Sequence, residues 1–527
     1  MNRPPQCPGF VAAPSNLRRG HGRRHARPAP SGGVWYIVAD MAAVGAFPSL
    51  IIRADALEPV GAFAQAQADY LSPDPSAVAE LTERLRRHDA GVVAHFYMDP
   101  ELQGVLTAVD WPHVHISDSL AMADAAIRMC EAGARTIVVL GVDFMSENVR
   151  AMLDASGFDH VPVYRVAADP IGCSLAESAQ RPEYAAYLAR AARTPRSLHV
   201  VYINTSLDTK ARAHHIVPTI TCTSSNVVQT VLQAAAQIDG VHIWFGPDTY
   251  MGHNLRELLS GLASLGDAAV REVHPAHDAA SVADLLERFH HFEQGVCIVH
   301  HMFGDHVVAA VREQCADAFI TAHLEVPGEM FALALQAQRQ GRGVVGSTSN
   351  ILSFVAGKVE QAAAAGAGGR LRFVLGTEAG MITSIVRRVQ AILRERRAAG
   401  APAVEVEIVF PVAAEAVAAT DDADLRVVPG VAGGEGCSTA GGCATCPYMK
   451  MNSLDALMDL LDRVRPGEPD LAAYFPRKYV DRIGGRTIAD LGSEPILHMR
   501  HFQRTGTLPA ALVADVLGRA AAAHSVG

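Results

Sequence analysis

Cysteines with the spacing of metal ligands are the first residues in this sequence that could do chemistry. Cys437, Cys443 and Cys446 fall in one glycine-rich stretch, EGCSTAGGCATCPYMKMN. Thiols at this spacing can hold a metal, close a disulfide or remain unused. The stretch alone does not decide between a local metal site and one arm of a site assembled from distant parts of the chain.

The elements that must position these thiols form a pattern that occurs three times. Apolar runs end in Gly-x-Asp or Gly-x-Glu and lead into a helical pattern: TIVVLGVDFMSENVRAML, VHIWFGPDTYMGHNLREL and LRFVLGTEAGMITSIVRRV. Upstream of each lie a strand and a small-polar cluster that opens a helix: SDSLAMADAA, TSSNVVQTVLQA and STSNILSFVAGKV. Strands that alternate with helices indicate parallel sheets. The sequence therefore predicts an α/β fold of three repeated parallel-sheet domains, and if these domains pack around a common axis, their equivalent ends meet at one centre.

Extensions are expected at both ends of the three repeats. The predicted limits are 1–75 for a disordered tail with an N-terminal helical extension, 76–196, 197–305 and 306–450 for the first, second and third repeat, and 451–527 for a C-terminal helical extension. Residues 1–40 are rich in Arg, Pro and Gly and lack apolar periodicity. We expect translation to start at Met41, the alternative being a real and mobile basic tail. The C-terminal extension is expected to pack on the third repeat or on a partner subunit.

Polar and aromatic side chains follow the first predicted strand of each repeat. They are His95, Tyr97, Tyr202, Asn204, His323 and Glu325. Ligands of parallel sheets bind beyond the carboxyl ends of the strands, so these side chains are candidates for one shared site. Ser119, Ser224, Asn226, Ser347 and Thr348 stand at predicted helix starts, where free N–H groups attract anions. Taken singly, each of these residues has a structural alternative as a hydrogen-bonded histidine, a packing tyrosine or a helix cap.

Each repeat also carries a cysteine near its end. Cys173 lies in DPIGCSLAES, Cys297 lies in GVCIVHHMF, and Cys446 precedes a proline in the third repeat. The Cys-Pro pair also closes ferredoxin-type cluster motifs, which favours Cys446 over its two neighbours as the ligand. Cys437 and Cys443 are either a reversible thiol pair or plain loop cysteines.

Three cysteines without a fourth protein ligand are typical of a 4Fe-4S cluster with one open iron, which can act as a Lewis acid on substrate. Zinc is the alternative, because Cys-x-x-Cys is a common half-site, although no second pair is evident. On spacing alone the two metals are equally compatible. The placement of one cysteine per repeat favours the cluster.

Composition excludes several classes of function. The formal charge of −10 argues against general nucleic-acid binding, which needs clustered cations. The longest apolar runs are too short for a membrane-spanning helix. Nine cysteines in 527 residues, without a secretory signal pattern, predict reduced thiols and a cytoplasmic location.

An ordered set of motifs resembles quinolinate synthase, the iron-sulfur enzyme family of de novo NAD biosynthesis. The motifs are AHFY, SDSL, GCSLAES, YINTS, TSSN, CIVHH, GSTSN, GTEAGM and CPYMKMN, from about residue 80 to about 460. The resemblance implies a pseudo-threefold arrangement of the three α/β domains around a central 4Fe-4S cluster held by Cys173, Cys297 and Cys446. It also implies condensation of iminoaspartate with dihydroxyacetone phosphate to quinolinate, with loss of phosphate and water. Because iminoaspartate is unstable in water, functional coupling to an enzyme that produces it is expected.

The resemblance further implies a set of active-site residues. They are His95, Tyr97, Ser119, Tyr202, Asn204, Ser224, His300, His323, Glu325, Ser347 and Thr348. Glu325 is the expected general base, with a pKa raised by burial. The family often has a proline where this chain has Leu324, but the flanking pair keeps its spacing.

Two alternatives stay open on the sequence. One is a zinc- or cluster-stabilised α/β binding protein without this activity. The other concerns Asp143, Asp248 and Glu378, which follow the second predicted strand of each repeat and are interpreted as helix caps, the alternative being a carboxylate cluster near the axis.

Overall fold

Apolar, β-branched runs form the inner strands of the fold, because a strand covered on both faces must be apolar along its length. A computed structural model describes residues 47–366, 368–412, 446–464 and 469–524. All of these lie in one compact body, residues 46–527. Met41, Cys437 and Cys443, with the predictions made for them, lie outside the described residues.

Two strands and two helices precede the first parallel sheet. They are β1 (Ser49–Ile52), β2 (Leu57–Val60), α1 (Ala62–Tyr70) and α2 (Pro75–Arg87). The prediction that the extension before residue 76 is helical is therefore wrong for residues 49–60. All four residues of β1 are buried, and β1 pairs with a strand at residues 406–409, far away in sequence.

The first repeat forms a four-stranded parallel sheet. Its elements are β3 (Ala90–His95), α3 (Pro100–Ala108), β4 (Val114–Ser117), α4 (Ser119–Glu131), β5 (Thr136–Leu140), α5 (Asp143–Ala155), β6 (Val163–Arg165), α6 (Ser174–Ser178) and α7 (Pro182–Arg193). The strand order is β4-β3-β5-β6, with every pair parallel. The inner strands β3 and β5 are buried at every residue.

The second repeat has the same arrangement. Its elements are β7 (Ser197–Tyr202), α8 (Leu207–Ile216), β8 (Thr219–Cys222), α9 (Val227–Gln237), β9 (His242–Gly246), α10 (Thr249–Ser264), α11 (Asp267–Val273), α12 (Ala279–Glu287) and β10 (Phe289–His291). The strand order is β8-β7-β9-β10, again parallel throughout.

The third repeat forms its own sheet with the same arrangement, and the two N-terminal strands are added at one edge of that sheet. Its elements are α13 (Asp305–Gln314), β11 (Phe319–His323), α14 (Gly328–Arg339), β12 (Gly343–Gly346), α15 (Thr348–Ala364), β13 (Gly369–Gly376), α16 (Ile382–Ala398) and β14 (Val404–Val409). The order is β12-β11-β13-β14-β1-β2, in which β1 pairs antiparallel with both neighbours.

The strand order is thus second, first, third, fourth in all three sheets, which confirms the predicted fold class of repeated parallel-sheet domains. The repeated strands of the three sheets lie within residues 76–196, 197–305 and 306–450. The outer limits of the domains remain predictions. Because the repeated strands are parallel in all three sheets, their carboxyl ends lie at one edge of each sheet, where ligands of such sheets bind.

The C-terminal segment is mainly helical, and its longest helix packs on the second repeat. It contains α17 (Leu454–Arg463), β15 (Arg482–Ile483), β16 (Arg486–Thr487), α18 (Ile488–Thr505) and α19 (Ala510–His524). His498 Nδ1 lies 3.0 Å from the Thr219 carbonyl oxygen, and a Cβ at Gly492 would lie 2.3 Å from the Leu207 carbonyl oxygen. Only glycine permits this close approach of α18 to α8. For α18, the prediction of packing on the third repeat is wrong.

None of the helices in the described ranges is long and apolar enough to cross a membrane.

Candidate active site

One cavity brings together loops from all three repeats. The first repeat contributes His95, Tyr97, Asp118, Ser119 and Cys173, the second contributes Tyr202, Asn204, Thr223, Ser224, Cys297 and His300, and the third contributes His323, Glu325, Thr348, Glu378 and Cys446. All of the predicted site residues except Asn226 and Ser347 line it. The predicted convergence of distant strand ends on one place is therefore a feature of the structure.

Two histidines end the first strands of their repeats in the same way. The Tyr97 N–H donates to His95 Nδ1 at 3.2 Å, and the Glu325 N–H donates to His323 Nδ1 at 3.4 Å. Since Nδ1 accepts in both cases, the proton of each neutral ring sits on Nε2. His323 Nε2 then lies 3.2 Å from the Ser224 hydroxyl.

Burial keeps both of these rings neutral. It lowers the pKa of His95 to about 4 and that of His323 to about 3, in spite of the Glu325 carboxylate near both rings. At neutral pH each histidine therefore offers a hydrogen-bond donor at Nε2 and carries no charge.

Glu325 is the best-partnered acid of the cavity. The Tyr202 hydroxyl donates to Glu325 Oε1, and His300 Nδ1 lies 3.2 Å from Oε2. Burial alone raises the pKa of a carboxyl group, but His300, His323 and Tyr202 outweigh it, and the pKa of Glu325 falls below its ordinary value. The prediction of a raised pKa for this residue is therefore wrong. Its surroundings hold the ionised form.

A second hydrogen-bonded chain joins the first repeat to the third through a residue that the sequence prediction did not include. The Thr377 hydroxyl lies 3.0 Å from the Tyr97 hydroxyl and 3.3 Å from His300 Nε2. His300 is buried and also lies 3.3 Å, through Nδ1, from Cys297 Sγ. Thr377 belongs to the GTEAGM motif that follows the third strand of the third repeat, which is the signal that could have identified it.

The helix starts at the cavity differ in how they are capped. The Asp118 carboxylate accepts from the amides of residues 120 and 121 at the start of α4, so these amides are already partnered. Ser347 caps α15 through a capping box with Asn350, which explains why its side chain is engaged there instead of at the cavity. Among the described residues, no side chain caps the first turn of α9, which Ser224 precedes.

The acidic residues after the third strands have three different roles. Asp248 caps α10 by accepting from the Met251 N–H at 2.8 Å, which confirms the cap interpretation for this residue. Asp143 instead pairs with Arg165 at 2.7 Å. Glu378 makes no helix-cap bond and lines the cavity, where burial and the nearby Glu325 raise its pKa well above the ordinary value. For Glu378 the preferred cap interpretation is therefore wrong, and Asp118 is a cavity residue that the sequence prediction missed.

The three predicted thiols each follow the last repeated strand of their own repeat. Cys173, Cys297 and Cys446 are free, as are the other cysteines of the described ranges, and all three line the cavity. Desolvation raises the pKa of Cys173 to about 12 and raises those of the other two thiols well above the ordinary value. Thiols in such surroundings ionise when a cation compensates their charge.

Donor atoms for a metal are present. Within the described part of the chain, Cys297, His300 and Glu325 place one ligand atom each within 4.8 Å of one another. The cavity thus contains a Cys/His/Glu group that can bind a metal, with two more thiols beside it.

Comparison with known proteins gives the family. Residues 79–398 match the family model described as Quinolinate synthetase A protein. The chain is 53% identical over 487 residues to "Quinolinate synthase, chloroplastic" of Nicotiana tabacum, covering 90% of this chain and 68% of that protein. It is 52% identical over 490 residues to the protein of the same name from Oryza sativa subsp. japonica, covering 89% and 69%. It is 26% identical over 406 residues to "Quinolinate synthase" of Prochlorococcus marinus (strain MIT 9303), covering 76% and 88%.

The fold and the cavity define an α/β enzyme of three repeats with one shared, potentially metal-binding site. The chain belongs to the quinolinate synthase family, and it catalyses the formation of quinolinate from small-molecule substrates. The alternative of a binding protein without this activity is therefore wrong. The expected cytoplasmic location is also wrong on these matches, because the plant relatives carry the word "chloroplastic" in their names.

Proposed function

We propose that this chain condenses iminoaspartate with dihydroxyacetone phosphate to quinolinate, with loss of phosphate and water, in the cavity where the three repeats meet. A 4Fe-4S cluster held by Cys173, Cys297 and Cys446 is part of the proposal. The observation that carries it is the convergence of one thiol from each repeat on the cavity that contains Glu325. The same cavity contains residues that can bind the anionic groups of the substrates and residues that can transfer protons.

The donor set fits an iron-sulfur cluster. Thiolates select soft metals and iron-sulfur clusters, and the three thiols are supplied by three separate loops. Cys173 and Cys446 line the same cavity but lie outside the compact group of Cys297, His300 and Glu325. This wider spacing suits a group of several irons better than a single ion. When bound, such a cluster supplies an electrophilic iron at which an oxygen of the substrate is polarised.

Anionic groups of the substrates can be held without Lys or Arg. No side chain of the described residues caps the start of α9, which Ser224 precedes, and a helix N-terminus favours a phosphate or a carboxylate. The hydroxyls of Ser119 and Thr348 and the amide of Asn204 also face the cavity. We assign the binding of phosphate and carboxylate groups to these residues.

Proton transfer is assigned to the Glu325 cluster. Glu325 is ionised and so can accept a proton, while the Tyr202 hydroxyl and His300 hold it in place. His95 and His323 present Nε2–H donors to the reactants, and Tyr97 adds a hydroxyl fixed by Thr377. Glu325 thus acts as the base, and the neutral groups orient the reactants or donate protons.

The proposal predicts the metal content and the activity of anaerobically purified protein. We expect about four iron and four sulfide per chain, and quinolinate on addition of iminoaspartate and dihydroxyacetone phosphate. Cys173→Ala, Cys297→Ala and Cys446→Ala should each abolish both the iron and the quinolinate. The matched control is Cys315→Ala, since Cys315 is a buried thiol elsewhere in the third repeat.

Colourless protein that carries one zinc per chain would contradict the cluster. A single ion at Cys297, His300 and Glu325 would then replace it, and Cys173→Ala would leave the metal in place. Iron retained in any one of the three cysteine variants would show that another thiol is the ligand.

Two further proposals concern supply and location. Because iminoaspartate decays in water, we propose coupling to an enzyme that produces it. In a coupled assay of the two enzymes, dilution into a larger volume should then reduce quinolinate formation less than free diffusion of iminoaspartate predicts.

The names of the plant relatives support a plastid location for this chain. A fluorescent fusion that stays outside plastids in plant cells would contradict it.

A further inference from the structure

A buried lysine holds the loop that presents Asn204 to the cavity. Lys210 of α8 has no exposed surface, and its Nζ donates to the Ile203 carbonyl at 3.1 Å and to the Thr205 carbonyl. These two carbonyls stand on either side of Asn204. Burying an ammonium group is costly unless it is paired or hydrogen-bonded. Here the hydrogen bonds to these two carbonyls offset that cost.

Two residues from other parts of the chain hold the other side of this loop. Glu147 of α5 is 4% exposed, and its Oε2 accepts from the Leu207 N–H at 3.0 Å. Its Oε1 accepts from the Tyr479 hydroxyl at 2.8 Å, and Tyr479 belongs to the C-terminal segment. The Glu147 carboxylate also favours the charged form of Lys210, against a burial effect that lowers the pKa of the lysine to about 7.

The three side chains do not line the cavity, whereas the loop that they hold does. Tyr202, Ile203 and Asn204 face the cavity, and Tyr202 is the residue that donates to Glu325. The first repeat, the second repeat and the C-terminal segment each supply one member of the set. A shift of this loop would therefore change the cavity without any change in the residues that touch the reactants.

We propose that Lys210, Glu147 and Tyr479 form a positioning set that fixes residues 202–206, so that Tyr202 and Asn204 meet the ligand in a single orientation. This gives the C-terminal segment a role in the active site. The inference rests on the proposed function in one respect, namely that Asn204 contacts the bound molecule.

The test is a double-mutant cycle on the anaerobic holoenzyme with quinolinate as the probe. Lys210→Met keeps the length of the side chain but leaves two carbonyls unpaired, and Tyr479→Phe removes one hydroxyl. We expect the quinolinate Kd to rise about tenfold for Lys210→Met and about threefold for Tyr479→Phe. The double variant should rise clearly less than the product of the two, because the groups act on one loop, and the iron content should be unchanged.

A matched control separates positioning from loss of stability. Val231→Ala removes volume from the core of the same repeat at a residue with no exposed surface, and it should lower Tm while leaving Kd within about twofold. The inference is overturned if Lys210→Met lowers Tm to the same extent and leaves Kd at the wild-type value. It is also overturned if the two substitutions multiply without coupling.

Failure of this inference can be distinguished from failure of the proposed function. If Lys210→Met does not fold, Tyr479→Phe alone decides, and an unchanged Kd then overturns the inference. If the wild type binds quinolinate but does not form it from iminoaspartate and dihydroxyacetone phosphate, the proposed reaction fails, and the Kd series still tests the positioning set.

Discussion

The strand ends of the first and third repeats share one backbone arrangement but carry different side chains two positions after the histidine. In both, a histidine ends the strand and accepts, at Nδ1, the N–H of the residue two positions later. That residue is Tyr97 in the first repeat and Glu325 in the third. The phenol contacts Thr377, whereas the carboxylate gathers Tyr202 and His300. The repeated scaffold thus supplies the position, and the identity of a single residue supplies the charge.

The largest expected effect comes from removing that charge. Glu325→Gln keeps the size of the side chain and one acceptor oxygen but cannot accept a proton at neutral pH, so the rate of quinolinate formation should fall about 1,000-fold with unchanged iron content. Glu494→Gln, at a half-buried carboxylate of α18, is the control. A rate within tenfold of the wild type would remove Glu325 as the base and weaken the contrast between the two repeats.

A smaller effect is expected at the equivalent position of the first repeat. Tyr97→Phe loses the hydrogen bond to Thr377 but no charge, and the rate should fall about tenfold. Tyr187→Phe removes a buried hydroxyl that donates to the Phe245 carbonyl away from the cavity. It should lower Tm without an effect on the rate. If Tyr97→Phe were as damaging as Glu325→Gln, the phenol would carry a proton in the reaction.

The smallest effect is expected at the helix starts. Asp118→Ala and Asn350→Ala each remove a cap interaction, of α4 and α15, and should each lower the free energy of unfolding by about 1 kcal/mol. Only Asp118 lines the cavity, so only its variant should also lower kcat/KM, by about fivefold. Chemical denaturation and steady-state assays measure the two effects separately, and equal kinetics in both variants would contradict the assignment.

Much of the site could be predicted because it recurs. Cys173, Cys297 and the three strand-end pairs occupy equivalent places in three repeats, so each copy supports the others. The choice of hydrogen-bond partners could not be predicted. The sequence does not show that the Ser347 side chain bonds to Asn350, or that Tyr202 and His300 reverse the effect of burial on the pKa of Glu325. Such outcomes depend on which groups meet in space.

Long-range pairing explains the errors in the fold. The predicted helical extension contains two strands instead, because β1 pairs with β14 near residue 409 and β2 pairs with β1. Similarly, α18 lies on the second repeat because Gly492 allows it to approach α8. Neither contact leaves a periodic signal in its own segment.

The antiparallel pairing of β1 with β14 has a consequence for synthesis. Ser49 pairs with Val409, so a strand that leaves the ribosome early waits for its partner until almost the whole catalytic region has been translated. During that interval the backbone N–H and C=O groups of this apolar strand lack their partner strand, and exposed strand edges can pair with other nascent chains. Recovery of correctly assembled enzyme should therefore depend on elongation rate and on holdase chaperones that shield residues 49–52 until the third sheet can close.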